Sequence, residues 1–233
     1  MDYVLHYAPD NASLAVRLTL EELGLPYRTR LVDRAGHAQA SDAYRALNPA
    51  AKIPTLETPD GPIFETAAIL LWLADRHGAM APAITAPARA GLLKWLFFTS
   101  NTVHAGLRMT FYPNRYAGDG AEAQSALRRH VQSTLMSEWA LLDAALATRQ
   151  GPYFGGGAPN ILDCYAAPLL RWSALYPAGQ TDWFRLADLP ALARMAQLFE
   201  QRPSAQAAIK AEGLGPHPFT APEPPTPPEG SAL

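Results

Sequence analysis

The chain has a single cysteine, Cys164, among its 233 residues. That scarcity excludes an internal disulfide and a metal site built from thiolates alone. Charge of one sign is lacking as well. There are 19 basic against 21 acidic residues, and no Lys/Arg run or basic face marks a nucleic-acid partner. Long apolar runs are missing too: the stretch Ala67–Ala74 falls far short of the roughly 20 residues that span a bilayer. Met1–His6 has neither a basic leader nor a long apolar segment, so no signal peptide is expected. The histidines are scattered and show no metal-ligand spacing such as HExxH. What remains is a chain that is 48% hydrophobic and long enough to bury a sizeable core. The expectation is a soluble cytoplasmic protein without a metal, a nucleic-acid partner or a membrane segment.

Strand and helix patterns alternate over the first 80 residues. Tyr3–Tyr7 is a short β-prone run that ends in the turn-rich Ala8-Pro9-Asp10-Asn11. Ser13, a plausible N-cap, precedes an amphipathic helix with Leu14, Val16, Leu18, Leu20 and Leu23 on its apolar side, stopped by Gly24. A second strand at Tyr27–Val32 completes a βαβ unit, whose two strands should be parallel. A short helix around Asp42–Leu47 follows, then a hairpin of Ile53–Thr58 and Pro62–Phe64 about the turn Pro59-Asp60-Gly61, then a helix over Thr66–His77. The order is βαβ-α-ββα.

After a Pro/Ala-rich linker over 80–88 the alternation disappears. Long helical patterns run from about Ala90 to Tyr112 and from about Ala121 to Thr148. Another begins at Asn160, and shorter ones cover Ala191–Glu200 and Ser204–Glu212. This change of period predicts an α/β unit over 1–79 followed by an all-α unit over 89–212. The Pro-rich tail, 213–233, reads as extended or mobile.

Three pieces of the first unit can carry chemistry. Pro54 opens a β-run, which confines it to an edge or a bulge; taken alone it is an ordinary trans proline. Glu65-Thr66 stands where a strand gives way to a helix, so unpaired N–H groups and the positive end of the helix dipole lie there. Thr66 can cap that helix, or it can join those N–H groups in binding a carboxylate while Glu65 binds an ammonium. The pair therefore suits an amino-acid end. The third piece is the first turn, Tyr7 to Leu14, where a helix start, Ser13 and Asn11 can stabilise an anion such as a thiolate. Lowering a thiol from about 8.5 by two units requires about 2.7 kcal/mol, within reach of one charged hydrogen bond plus the dipole. Equally, Ser13 can be no more than a cap.

In this order and spacing, Asn48-Pro49-Ala50-Ala51-Lys52-Ile53-Pro54, Glu65-Thr66 and the first turn resemble the cytosolic glutathione transferase family over about residues 1–212. The resemblance implies a thioredoxin-like, glutathione-binding domain over 1–79 and a helical domain over 89–212 that carries the electrophile pocket. It makes Pro54 a cis-proline and pairs the backbone of Ile53 with the cysteinyl part of glutathione. Glu65 and Thr66 then hold the γ-glutamyl end, and Lys52 reaches a carboxylate. Asn160-Ile161-Leu162-Asp163 matches the family's capping box, a folding device that removes Asp163 from the list of catalytic acids; Cys164 beside it reads as core. The first turn is most similar to the bacterial beta class, except that Ala12 stands where that class has cysteine. Thiol activation then falls to Ser13 first, Asn11 second and Tyr7 third. Trp95 to His104 resembles the beta-class helix that lines the electrophile pocket, with Asn101 and His104 facing the substrate; Trp95, Phe97 and Phe98 can equally be core, and His104 a satisfied helix residue. Met109, Phe111 and Tyr112 suggest that the pocket is apolar.

The implied function is transfer of glutathione, a co-substrate, to a small hydrophobic electrophile by a homodimer. Two other functions fit the same residues. One is glutathione-dependent disulfide or peroxide reduction; the other is a non-catalytic glutathione- or ligand-binding protein.

Overall fold

A computed structural model describes residues 3–226. Strand β1 (Tyr3–Tyr7) is buried along nearly all its length because it is a central strand. Strand β2 (Tyr27–Leu31) runs parallel to it on one side and β3 (Thr55–Thr58) antiparallel on the other; β4 (Gly61–Phe64) closes a hairpin on β3. The sheet order is β2-β1-β3-β4, a mixed sheet of the thioredoxin-like kind. Parallel strands require a crossover, and helix α1 (Ser13–Glu22) supplies it. After α2 (Asp42–Leu47), α3 (Thr66–His77) packs beside α1. The regular elements that follow α3 among the described residues are all helices.

The helix expected over 90–112 is not continuous. It comprises α4 (Ala88–Phe98), a π-helical turn over Thr99–His104, and α5 (Ala105–Phe111). A π turn holds one residue more than an α turn, so everything after it is rotated by about 100° from where an unbroken helix would carry it. The short α6 (Asn114–Ala117) leads to α7 (Ala121–Ala147), which packs along α5. Helix α8 (Ile161–Leu175) is buried over its first thirteen residues and forms the centre of this half. The capping box opens it: Asn160 Oδ1 accepts from the Leu162 N–H and Asp163 Oδ2 from the Asn160 N–H, both at 2.8 Å. Asp163 Oδ1 also accepts the N–H of Phe154, at 3.0 Å. The loop that presents this N–H requires glycine at 155, where a Cβ would lie 2.4 Å from the Ala158 carbonyl. Helices α9 (Pro190–Phe199) and α10 (Pro203–Glu212) complete the half, each with proline in its first turn.

The α/β unit joins the helical unit through α1, which touches both α8 and α10. The joint contains buried charge. Arg17 Nε donates to Glu212 Oε1 at 2.7 Å, and Glu212 Oε2 accepts the Asp10 N–H at 2.9 Å. Asp10 Oδ1 then accepts from Arg171 Nε at 2.9 Å. All four residues are at most 5% exposed. At the edge of the joint Glu22 takes Arg202 in a fork, at 2.6 and 2.7 Å. The segment after α10 is not helical, as expected, but through Thr226 it is packed rather than mobile. Phe219 is buried, Thr220 donates to Glu200, and Arg171 donates to the carbonyls of Leu214, Pro218 and Glu223. Residues 227–233 of the tail lie outside the described residues, as do Met1 and Asp2.

Removing one partner from a buried ion pair leaves the other charge uncompensated. Arg171→Met is therefore expected to lower unfolding stability in urea by about 3–5 kcal/mol. Arg185→Met, which breaks the exposed pair with Asp188, should change it by less than about 1 kcal/mol.

Candidate functional site

Three loops of the α/β unit meet at one cavity of about 470 Å³. Asp10, Asn11 and Ala12 reach it from the first turn, Lys52, Ile53 and Pro54 from the segment before β3, and Glu65 and Thr66 from the junction of β4 with α3. The opposite wall is helical: Asn101 and His104 of the π turn, Arg108 and Phe111 of α5, and Tyr165 and Trp172 of α8.

Local chemistry shapes each loop. The Ile53–Pro54 peptide is cis. The carbonyl of Lys52 before it accepts from the Tyr44 hydroxyl and from Asn48 Nδ2, both at 2.8 Å. These same two side chains also meet the Thr55 hydroxyl, at 3.0 and 3.2 Å, so the loop is tied on both sides of the proline. Glu65 takes φ 71° and ψ 114°, a conformation that an L-residue adopts only at a cost of order 1–3 kcal/mol. It holds the N-cap position of α3 without a side-chain cap, and Thr66 is the first residue of the helix. The capping alternative for Thr66 is thereby corrected.

The first turn separates the three thiol-activating candidates. Asn11 lines the cavity. Its Oδ1 accepts the Ala12 N–H at 2.9 Å, and Nδ2 donates to no other described residue. Ser13 is fully buried, does not line the cavity, and donates to the Ala8 carbonyl at 3.2 Å. Nor does it cap α1: the N-cap position falls on Ala12, and Ser13 is the first helical residue. Tyr7 is also buried and off the cavity, with the Arg17 guanidinium 4.8 Å above its ring.

His104 Nδ1 lies 2.8 Å from the Tyr165 hydroxyl, and its ring packs against Tyr165 and Trp172 at centroid distances of 5.7 and 5.6 Å. Burial lowers its pKa from 6.5 to about 4, and the positive charge of Arg108 pushes the same way. Asn101 is exposed at the cavity rim. Of the aromatics expected near substrate, Phe111 and Tyr112 line the space, whereas Trp95 and Phe98 pack edge to face on each other away from it and Phe97 faces outward. Cys164 is buried, and desolvation pushes its thiol well above the usual range, which makes it inert.

Sequence reasoning missed several of the lining residues. Tyr165, Trp172 and Tyr176 recur at spacings of seven and four, one helical face, and that signal was there to be read. Asp10, Arg34, Arg108 and Arg115 had no comparable local signature. Asp10 takes φ 50°, and its carboxylate accepts from Trp172 Nε1 and the Tyr176 hydroxyl as well as from Arg171. Among the described residues no group of three or more His, Cys, Asp or Glu is placed to hold a metal ion.

Comparison with known proteins shows the family and agrees with the fold. Residues 12–76 match the family model for the N-terminal domain of glutathione S-transferases and residues 124–194 that for the C-terminal domain. A sphingomonad glutathione S-transferase solved with glutathione is 31% identical, with a TM-score of 0.74 over 91% of this chain and 100% of that one. A glutathione transferase from Burkholderia graminis, solved with two glutathione molecules per subunit, is 26% identical, with a TM-score of 0.78 over 92% and 90%. The disulfide-bond oxidoreductase YfcG of Escherichia coli strain K12 is 28% identical over 85% of this chain and 97% of its own length.

The depressed pKa of His104 has a thermodynamic consequence. The unfolded chain takes up a proton near pH 6.5 and the folded one only near 4, so the stability contributed by the neutral ring is complete above 6.5 and is lost as pH falls from 6.5 to 4. Proton NMR of the imidazole should show a flat response at neutral pH and titration only near 4. His104→Asn should remove part of the loss of stability across that window, and a midpoint at the ordinary histidine value would contradict the burial.

Proposed function

Because the chain belongs to the glutathione S-transferase family, we propose that it binds glutathione in this cavity and transfers it to an electrophile. One observation carries the reading: the Lys52–Pro54 loop, the Glu65-Thr66 junction and Asn11 line a single cavity that faces His104 and Asn101. Glutathione is a charged, extended peptide. The strained Glu65 and the free N–H groups at the start of α3 suit its γ-glutamyl ammonium and carboxylate. The Ile53 backbone suits the cysteinyl unit, and Lys52 a carboxylate. The thiolate then lies at the start of α1. With alanine at position 12 no mixed disulfide forms there, so activation is non-covalent.

Asn11 moves to first place among the activating groups. Its Nδ2 is an unengaged donor on the cavity wall, whereas the hydroxyl of Ser13 is buried and directed at Ala8. In the reaction the thiol proton passes to solvent, the sulfur forms a bond to the electrophilic carbon, and the leaving group departs with its electron pair. Neutral His104 and Asn101 line the side from which the electrophile approaches. The division at 79 and 88 belongs to the same reading, which assigns glutathione to residues 1–79 and the second substrate to 89–212. So do a cytoplasmic location and a homodimer; exposed Phe97 on α4 and Leu141 on α7 are apolar groups available to a partner.

A second reading is favoured by the similarity to a disulfide-bond oxidoreductase and to a transferase solved with two glutathiones. In it the bound thiolate attacks the sulfur of a glutathione mixed disulfide, releasing a thiolate and forming glutathione disulfide.

Thiolate absorbance of the glutathione complex tests the mechanism. The bound thiol should titrate about 1–2 units below its free value, and Asn11→Ala should abolish most of that shift and lower kcat by about 10–100-fold. Ser13→Ala and Tyr7→Phe should do less. A bound thiol with an unshifted pKa in the wild type would sink the activation scheme, and glutathione disulfide as the sole product across a substrate panel would promote the second reading.

A further inference from the structure

Glutathione, bound as proposed, engages Lys52 and Glu65 and gives Arg108 and Arg115 no role. Arg34, Lys52, Arg108 and Arg115 line it against two carboxylates, Asp10 and Glu65. Asp10 is already answered: Arg171 and Trp172 donate to one oxygen and Tyr176 to the other. The lining is therefore positive in a chain whose net charge is -2. A recess with low-dielectric walls concentrates such a field on whatever enters it.

The three guanidiniums come from separate places: the loop after β2, α5 and α6. Tyr112 links two of them, accepting from Arg34 Nη2 at 3.0 Å while Arg115 Cζ stands 4.9 Å from its ring centroid. Arg108 is near enough to His104 for its charge to act on the imidazole. Among the described residues neither Arg108 nor Arg115 has a carboxylate within 4.0 Å, although Arg108 is half-buried. A partly desolvated guanidinium is stabilised by a planar anion that matches its fork.

We propose that the second substrate is an organic anion whose carboxylate is bound by Arg108 and Arg115, its body lying on the aromatic wall of Phe111, Tyr112 and Trp172. The inference rests on the proposed function, since the nucleophile is the bound glutathione thiolate. The carboxylate belongs either to a small acid or to a second glutathione.

The probes are 4-chloro-3,5-dinitrobenzoate and its methyl ester, which differ in the charge. Thiolate attacks the carbon bearing chlorine, the C–S bond forms, and chloride leaves with the bonding pair. With the full chain and saturating glutathione, kcat/KM for each probe is divided by its uncatalysed rate constant. The acid-to-ester ratio should exceed about 10 and fall about 10–100-fold in Arg108→Gln/Arg115→Gln, with partial recovery in Arg108→Lys/Arg115→Lys. Because Arg115 is exposed, Arg115→Gln alone provides a variant whose fold is not at risk, with a smaller fall in the same direction. Calorimetric titration with glutathione separates the two sources. Two sites per chain reduced to one in the double Gln variant assign the carboxylate to a second glutathione; one site in both, with the acid preference present, assigns it to a small acid. A ratio near one in the wild type together with unchanged glutathione stoichiometry overturns the inference. If neither probe is conjugated the transferase reading fails instead, and the affinity of the glutathione-loaded chain for acid against ester still decides the anion: tighter binding of the acid supports it, equal binding overturns it.

Discussion

The placement of the first turn depends on charge buried between the two halves of the chain. Arg17, Glu212, Asp10 and Arg171 form an unbroken series of hydrogen bonds in a region with almost no solvent. Desolvating such groups is unfavourable by several kcal/mol each, so the arrangement persists only when every donor meets its acceptor. Burial pushes the Glu212 carboxyl up, while Arg17 and the Asp10 N–H pull it back. Asp10 is the pivot. Its backbone adopts φ 50° and donates to α10, its side chain accepts from α8, and the next residue is Asn11 on the cavity wall. The residue proposed to face the thiolate is thus positioned by helices far away in sequence.

Much of this fold was legible in the sequence because it is local. The apolar period of residues 14–20, the turn at 59–61 and the capping box at 160–163 each announce an element within one or two turns of chain. Of the site, the Lys52–Pro54 and Glu65-Thr66 segments line one cavity, and what groups them in the sequence is a resemblance rather than periodicity. What escaped was non-local or a matter of phase. Asp10 and Arg171 are separated by 161 positions, and nothing near either marks the other. The apolar pattern over 90–112 also hid one extra residue per turn at 99–104, because a single π turn changes phase without interrupting the run. Ser13 was ranked first from its residue type and position, but a hydroxyl one residue inside the helix finds the Ala8 carbonyl instead.

The π turn and the arginines together define the character of the second wall. Rotation after residue 99 brings His104 against Tyr165 and Trp172, and Arg108, one helical turn on, shares the cavity with it. The wall is therefore aromatic and cationic at once. Guanidinium groups tolerate this company better than ammonium groups, since they are planar, weakly hydrated and stack on rings. Arg115 over Tyr112 is one such stack.

The segment after α10 is held by Arg171 through the carbonyl oxygens of Leu214, Pro218 and Glu223. Carbonyl oxygens are common to every residue type, so the clasp reads the path of the chain and is indifferent to its letters. Only some side chains of this stretch add to the hold: Leu214 and Phe219 are buried in the core, and the Thr220 hydroxyl donates to Glu200. The ribbon is thereby clamped through its backbone to the same guanidinium that fixes Asp10. For protein engineering the implication is practical: a deletion that removes the 214–223 path acts on the geometry of the first turn, about 200 residues earlier in the polypeptide.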